Sequence, residues 1–205
     1  MAKIITIAHQ KGGVGKSTLA INLALCFQDQ LSVALVDTDL QGSLYHIRED
    51  FPDLAIIGVD KLQDIRQLAY DLVIIDTPPY LSNRLPELFL YSDFILVPTK
   101  AGFFDVMAIR STLALIKEAQ RKTPQIRAGI VLNMVKPRSG ITREVAVLLQ
   151  SMDTPLLKTR VHDRVSIARS SMTAGVLNSA DKRAKEEIMA LTEEVVEHIS
   201  AEIAI

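Results

Sequence analysis

Apolar, β-branched runs alternate along this chain with longer stretches in which apolar residues recur every three or four positions. The runs at 3–8, 32–37, 54–58, 72–76, 94–98, 128–133 and 155–158 predict strands. Several, such as Leu72-Val73-Ile74-Ile75, are apolar throughout rather than alternating, the pattern of strands covered on both faces. The stretches near 16–29, 60–69, 83–91, 103–122, 139–152 and 181–203 predict helices. In the last, Ile188, Leu191, Val195 and Ile199 form one apolar stripe, with Glu186, Glu187, Glu193, Glu194 and Glu197 on other faces. This alternation predicts an α/β fold. It would be a doubly wound, mainly parallel sheet with helices on both faces, its ligand lying at the carboxyl ends of the strands. The expectation is a single domain over residues 1–205, with no N-terminal DNA-binding domain.

Composition narrows the function. A hydrophobic content of 48% suffices for a real core, and no repeat, linker or low-complexity segment interrupts it. The net charge of −1 gives no global field toward nucleic acid, so any such binding must come from a local patch. The lone Cys26 cannot form an internal disulfide, reads as a small core hydrophobe, and fits the cytoplasm. No apolar run approaches the ~18 residues of a membrane span, and the start carries no signal-peptide pattern.

The densest chemistry lies at Gln10-Lys11-Gly12-Gly13-Val14-Gly15-Lys16-Ser17-Thr18, between the first strand and the first helix. Strand, glycine-rich turn and helix is the setting of a phosphate loop. The glycines let backbone N–H groups curl around an anion, and the helix start adds unpaired N–H groups and positive dipole. Lys16 is expected on the β- and γ-phosphates and the Ser17 hydroxyl on Mg²⁺. The standard G-x-x-x-x-G-K-[ST] pattern fails at its first position, which holds Gln10, and a second lysine, Lys11, stands at the front. Asp37, Asp39 and Asp76 each follow an apolar strand and should project near this loop. Strand-end aspartates also cap turns and helices, and Asp37 and Asp39 need not both be catalytic.

This string resembles the deviant Walker A P-loop ATPases of the ParA/MinD family, closest to the short ParA type. The resemblance extends over most of the chain. Val33-Ala34-Leu35-Val36-Asp37-Thr38-Asp39-Leu40-Gln41-Gly42-Ser43 is similar to the second-strand motif, with Leu40 where proline is usual. Asp71-Leu72-Val73-Ile74-Ile75-Asp76-Thr77-Pro78-Pro79 resembles the Walker B segment, and Phe94-Ile95-Leu96-Val97-Pro98-Thr99 with Phe104-Asp105-Val106 the strand and loop that follow. The resemblance implies a Mg²⁺-dependent ATPase that forms a homodimer with ATP. In it Asp39 positions the attacking water, Asp76 reaches Mg²⁺, Asp37 supports the metal shell, and Thr18 meets the α-phosphate. Lys11 becomes the signature lysine that crosses to the partner's ATP, where charge spreads in the transition state. Asn133, ending Ile130-Val131-Leu132, falls where the family often contacts adenine, though a turn-forming role suits asparagine equally.

The resemblance also implies ATP-dependent, non-specific DNA binding and work with a ParB-like or other adaptor, in the cytoplasm and on the nucleoid. Arg164, Arg169, Arg183 and Lys185 are the candidate DNA contacts, with Lys158, Arg160 and Lys182 nearby. Scattered solvated charge is the competing reading for each. Plasmid or chromosome partition is the leading expectation, and positioning of a protein cargo its rival. A MinD-like membrane switch would need a basic amphipathic end, whereas Glu193-Glu194-Val195-Val196-Glu197 is acidic. A cluster-bearing reductase would need more cysteines than Cys26.

Overall fold

The computed structural model describes residues 2–39, 44–58, 62–79 and 84–200. Seven strands form one sheet: β1 (Lys3–Ile7), β2 (Val33–Asp37), β3 (Ala55–Gly58), β4 (Leu72–Asp76), β5 (Phe94–Thr99), β6 (Arg127–Val135) and β7 (Leu156–His162). Their order is β3-β2-β4-β1-β5-β6-β7, and every pair is parallel. β2, β4 and β5 are buried at every position, as their unbroken apolar runs require. β7 is an edge strand and alternates, with Leu157 and Val161 inward and Lys158 and Arg160 exposed. It therefore runs on to His162, past the expected end at 158, because a half-covered strand needs only every second residue apolar.

The helices are α1 (Lys16–Phe27), α2 (Leu85–Phe89), α3 (Phe103–Lys122), α4 (Gly140–Gln150), α5 (Val165–Arg169) and α6 (Lys182–Ser200). Ile5 and Ile7 of β1 face α1 and α6, while Ile4 and Ala8 face α2, α3 and α4, so successive residues serve opposite cores. The expected α6 stripe is present, with Ile188, Leu191 and Val195 buried and Ile199 packed at its margin. Cys26 is half-buried and packs against the same core. The helix expected at 60–69 is a 3₁₀ segment over Leu62–Gln67. Further short turns at Tyr45–Asp50, Ser170–Met172 and Val176–Asn178, and the single-turn α5, were not foreseen, being too short to display a period. None of the described helices is long and apolar enough to cross a membrane.

β1 lies between β4 and β5, with β2 and β3 beyond one neighbour and β6 and β7 beyond the other. The winding reverses around β1, which opens a crevice at its carboxyl end. Ile7 is in register with Asp76, and Asp76 with Asp37, so the loops after β1, β2 and β4 leave the sheet at one level.

Candidate functional site

The loop from Gln10 to Gly15 fills that crevice. Gly13 and Gly15 have φ of 68° and 89°, which only glycine adopts without strain. Gly15 is the N-cap of α1, and its carbonyl accepts the Leu19 N–H at 3.0 Å. Lys16 opens the helix and is buried. Burial pushes its ammonium below its ordinary pKa, against the pull of Asp76 and Asp39. Desolvated positive charge of this kind is satisfied by an anion, and the helix start is aimed to bind one.

Ser17 donates its hydroxyl to Asp76 Oδ2 at 2.5 Å. Asp76 is buried, and its Oδ1 has no hydrogen-bond partner among the described residues. Burial raises its pKa to about 7, with Asp37 and Asp39 adding to the rise and the Ser17 hydroxyl and Lys16 opposing it. A buried carboxylate with a vacant oxygen beside a serine hydroxyl matches a hard divalent cation that takes one or two protein oxygens and fills its other positions with phosphate and water.

Asp37 Oδ1 accepts the Asp39 N–H at 3.0 Å, and its Oδ2 accepts the Leu44 N–H at 2.9 Å. Its carboxylate thus anchors both ends of the loop after β2. Asp39 is half-buried, near enough for its charge to act on Lys16 and Asp76. Leu40, Gln41, Gly42 and Ser43 lie outside the described residues. Thr18 is half-buried, and its carbonyl accepts the Asn22 amide at 2.7 Å. Asn133 is buried on the phosphate loop: its Nδ2 donates to the Val14 carbonyl at 2.8 Å, and its Oδ1 accepts the Met134 N–H at 2.9 Å. A Cβ on Gly15 would stand 2.3 Å from that Nδ2, so with the amide in place position 15 has room only for glycine.

Lys11 lies at the outer lip, its side chain 41% exposed, and its Nζ meets Asp105 Oδ1 of α3 at 2.5 Å. Asp105 appeared in the sequence only as part of a motif. The pair links positions 94 apart, a proximity that no local pattern displays. His9 likewise carries no mark in the local pattern. It is 1% exposed, and its Nδ1 accepts the Lys11 N–H at 2.8 Å.

The basic residues divide. Arg169, Lys182 and Arg183 are exposed, and Lys185 is half-buried. Arg164 is engaged: its Nη2 and Nε donate to Glu187 Oε1 at 2.7 and 3.2 Å, and Asp181 Oδ2 is 3.8 Å away. Glu187 also accepts the His162 N–H at 2.9 Å. Burial raises the Glu187 carboxyl, but Arg164 and His162 together hold it below its ordinary value. These contacts fasten α6 to the end of β7, and the guanidinium is part of that fastening.

A parallel sheet wound about a lysine-bearing phosphate loop, with serine and aspartate poised at its mouth, defines a P-loop nucleotide-binding protein. The chain belongs to the CobQ/CobB/MinD/ParA nucleotide-binding domain family, whose pattern matches residues 5–175. It is 30% identical, over 94% of its own length and 95% of the relative's, to maintenance of carboxysome distribution protein A of Halothiobacillus neapolitanus. Among solved structures, a putative plasmid partition protein of Borrelia burgdorferi bound to AMPPNP superposes with a TM-score of 0.77. That alignment covers 96% of this chain and 99% of that one at 22% identity. The septum site-determining protein MinD of Pyrococcus horikoshii, complexed with Mg-ADP, gives 0.72 over the whole of both chains at 20% identity. The ParA/MinD resemblance, the parallel α/β fold and the expected ATP and Mg²⁺ agree with these findings.

Proposed function

We propose that this chain is a Mg²⁺-dependent ATPase that closes as a homodimer around ATP and, so closed, binds DNA without sequence preference to position a cargo over the nucleoid. The observation that carries the reading is the Lys16–Ser17–Asp76 arrangement, a buried ammonium and a carboxylate with a vacant oxygen at the head of a helix. Backbone N–H groups from Gly12 to Gly15 cradle the phosphates, Lys16 neutralises the β- and γ-groups, and Thr18 meets the α-phosphate. Ser17 and Asp76 hold Mg²⁺, with Asp37 keeping the adjoining loop in place. The ion, when bound, offsets charge on the triphosphate oxygens. Asp39 orients the attacking water. Lys11 leaves Asp105 and reaches the partner's triphosphate, where charge develops. Phe103 and Phe104, exposed beside Asp105, supply apolar surface that dimerisation would cover.

Two readings of the cargo draw support from the relatives. Partition of a plasmid or chromosome with a ParB-like partner accords with the likeness to the Borrelia plasmid partition protein. The full-length match to a carboxysome distribution protein favours the second reading, a protein cargo recruited by its own adaptor. In either case Arg169, Arg183 and Lys185 contact phosphates, and Arg164 serves the fold behind them. Gel shifts with ATP, ADP and no nucleotide, across a salt range, test this. DNA retained only with ATP, and lost steeply with salt, supports the reading. Retention that ignores nucleotide contradicts it.

A further inference from the structure

We infer that His9 is a positioning residue for hydrolysis: it fixes the backbone of Lys11 and thereby sets where the Lys11 ammonium can reach. The inference rests on the proposed role of Lys11 and deepens it. His9 follows β1 directly, after Ala8, whose N–H is tied to the Leu96 carbonyl of β5 at 3.0 Å. The ring is thus carried at the end of the central strand of the sheet. From there its Nδ1 accepts the N–H of Lys11, two residues on, at 2.8 Å. The next residue, Gly12, begins the loop's glycines, and the next side-chain brace on the loop is that of Asn133 on the Val14 carbonyl, three residues past Lys11. An imidazole accepts at Nδ1 only when neutral, with its hydrogen on Nε2. Burial, aided by Lys16 and Lys11 against the pull of Asp105, lowers the ring's pKa to about 4, so it stays neutral at ordinary pH. Its Nε2 is buried with no partner among the described residues, an unmet donor at the foot of the phosphate loop. Burying an unpaired ring N–H is costly, and an apolar ring would pack there more cheaply. A histidine in this place is accounted for by the bond it makes to Lys11.

Three substitutions separate positioning from packing. His9→Phe keeps the ring's bulk and removes the acceptor. His9→Ala removes both. His9→Asn replaces the acceptor, because an asparagine oxygen reaches the N–H two residues on. Each is compared with wild type and Lys11→Ala for ATP affinity by calorimetry, for kcat and KM, and for melting temperature. His9→Phe is expected to keep ATP affinity within about twofold and to lose about fivefold or more in kcat, while His9→Asn recovers most of the rate. With Lys11 already replaced, adding His9→Phe should cost nothing further, since the two act as one unit. Full turnover in His9→Phe, failure of His9→Asn to recover, or additive losses in the double variant would each overturn the inference. Wild-type turnover in Lys11→Ala would remove the proposed role of Lys11 itself and leave His9 nothing to position. Loss confined to His9→Phe and His9→Ala leaves that role intact and supports the inference.

Discussion

Replacing Arg164 with alanine separates a structural cation from a DNA-binding one. The guanidinium gives Glu187 Oε1 two hydrogen bonds, at 2.7 and 3.2 Å, and lies 3.8 Å from Asp181. Its side chain is 23% exposed and that of Glu187 16%, so the pair is neither fully buried nor freely solvated. Charge-assisted hydrogen bonds of buried groups contribute about 1.5–3 kcal/mol, and solvent screening places this pair near the lower end, at about 2 kcal/mol. Glu187 keeps its two contacts to His162 in the variant, which limits the loss further. For a domain of this size, about 2 kcal/mol lowers the melting temperature by roughly 4–8 °C. Urea unfolding should show a lower midpoint with an unchanged slope. Below its melting range, the variant's ATP-dependent DNA affinity should keep the wild-type salt slope. Arg183→Ala should instead keep the melting temperature and reduce that slope by about one per protomer. An Arg164→Ala protein with unchanged stability and a shallower salt slope would refute this assignment.

Other expectations follow from the site. Asp76 in the metal-free protein keeps its proton up to about pH 7, whereas in the unfolded chain it ionises near 4. Its ionisation therefore weakens the fold as pH rises through that interval, by up to about 4 kcal/mol. In EDTA, Asp76→Asn should melt above wild type at pH 8, the gap closing toward pH 5; a gap independent of pH would contradict the desolvated carboxylate. Asp105→Ala removes the group holding Lys11, so half-maximal ATP-driven dimerisation should need up to about fivefold less ATP, as expected for a partly exposed ion pair. An unchanged midpoint would mean that the pair does not compete with dimerisation. Asn133→Ala should weaken tripolyphosphate and ATP alike, by about tenfold or less, because the amide braces the loop. Loss of ATP alone, with tripolyphosphate unaffected, would assign the amide to the base.

The parts of this molecule that announce themselves in the sequence are those whose physics is local. Glycine at positions of positive φ, lysine and serine at a helix start, and strands apolar on both faces all carry their cause within a few residues. The apolar run of β7 stops short in the sequence because Lys158 and Arg160 interrupt it, although on an edge strand they belong to the solvent face. Contacts made across the fold left no such trace. Arg164 and Glu187 are 23 positions apart, and Lys11 and Asp105 94, so the sequence shows four charges but not that they pair. Asn133 was noticed as a strand-end amide, yet its hold on Val14 depends on β6 passing beside the phosphate loop. His9 is intermediate. An acceptor two residues before a loop lysine is a recognisable local bond, hidden here because a buried histidine has many ordinary uses.

Sedimentation of the wild-type protein and Lys16→Ala with Mg²⁺ and either ATP or ADP tests the central claim most directly. The account predicts a dimer for the wild type with ATP, a monomer with ADP, and a monomer for Lys16→Ala with both, because the buried ammonium that holds the triphosphate is gone. A wild-type protein of one size with both nucleotides, or a Lys16→Ala protein that still dimerises with ATP, would contradict it.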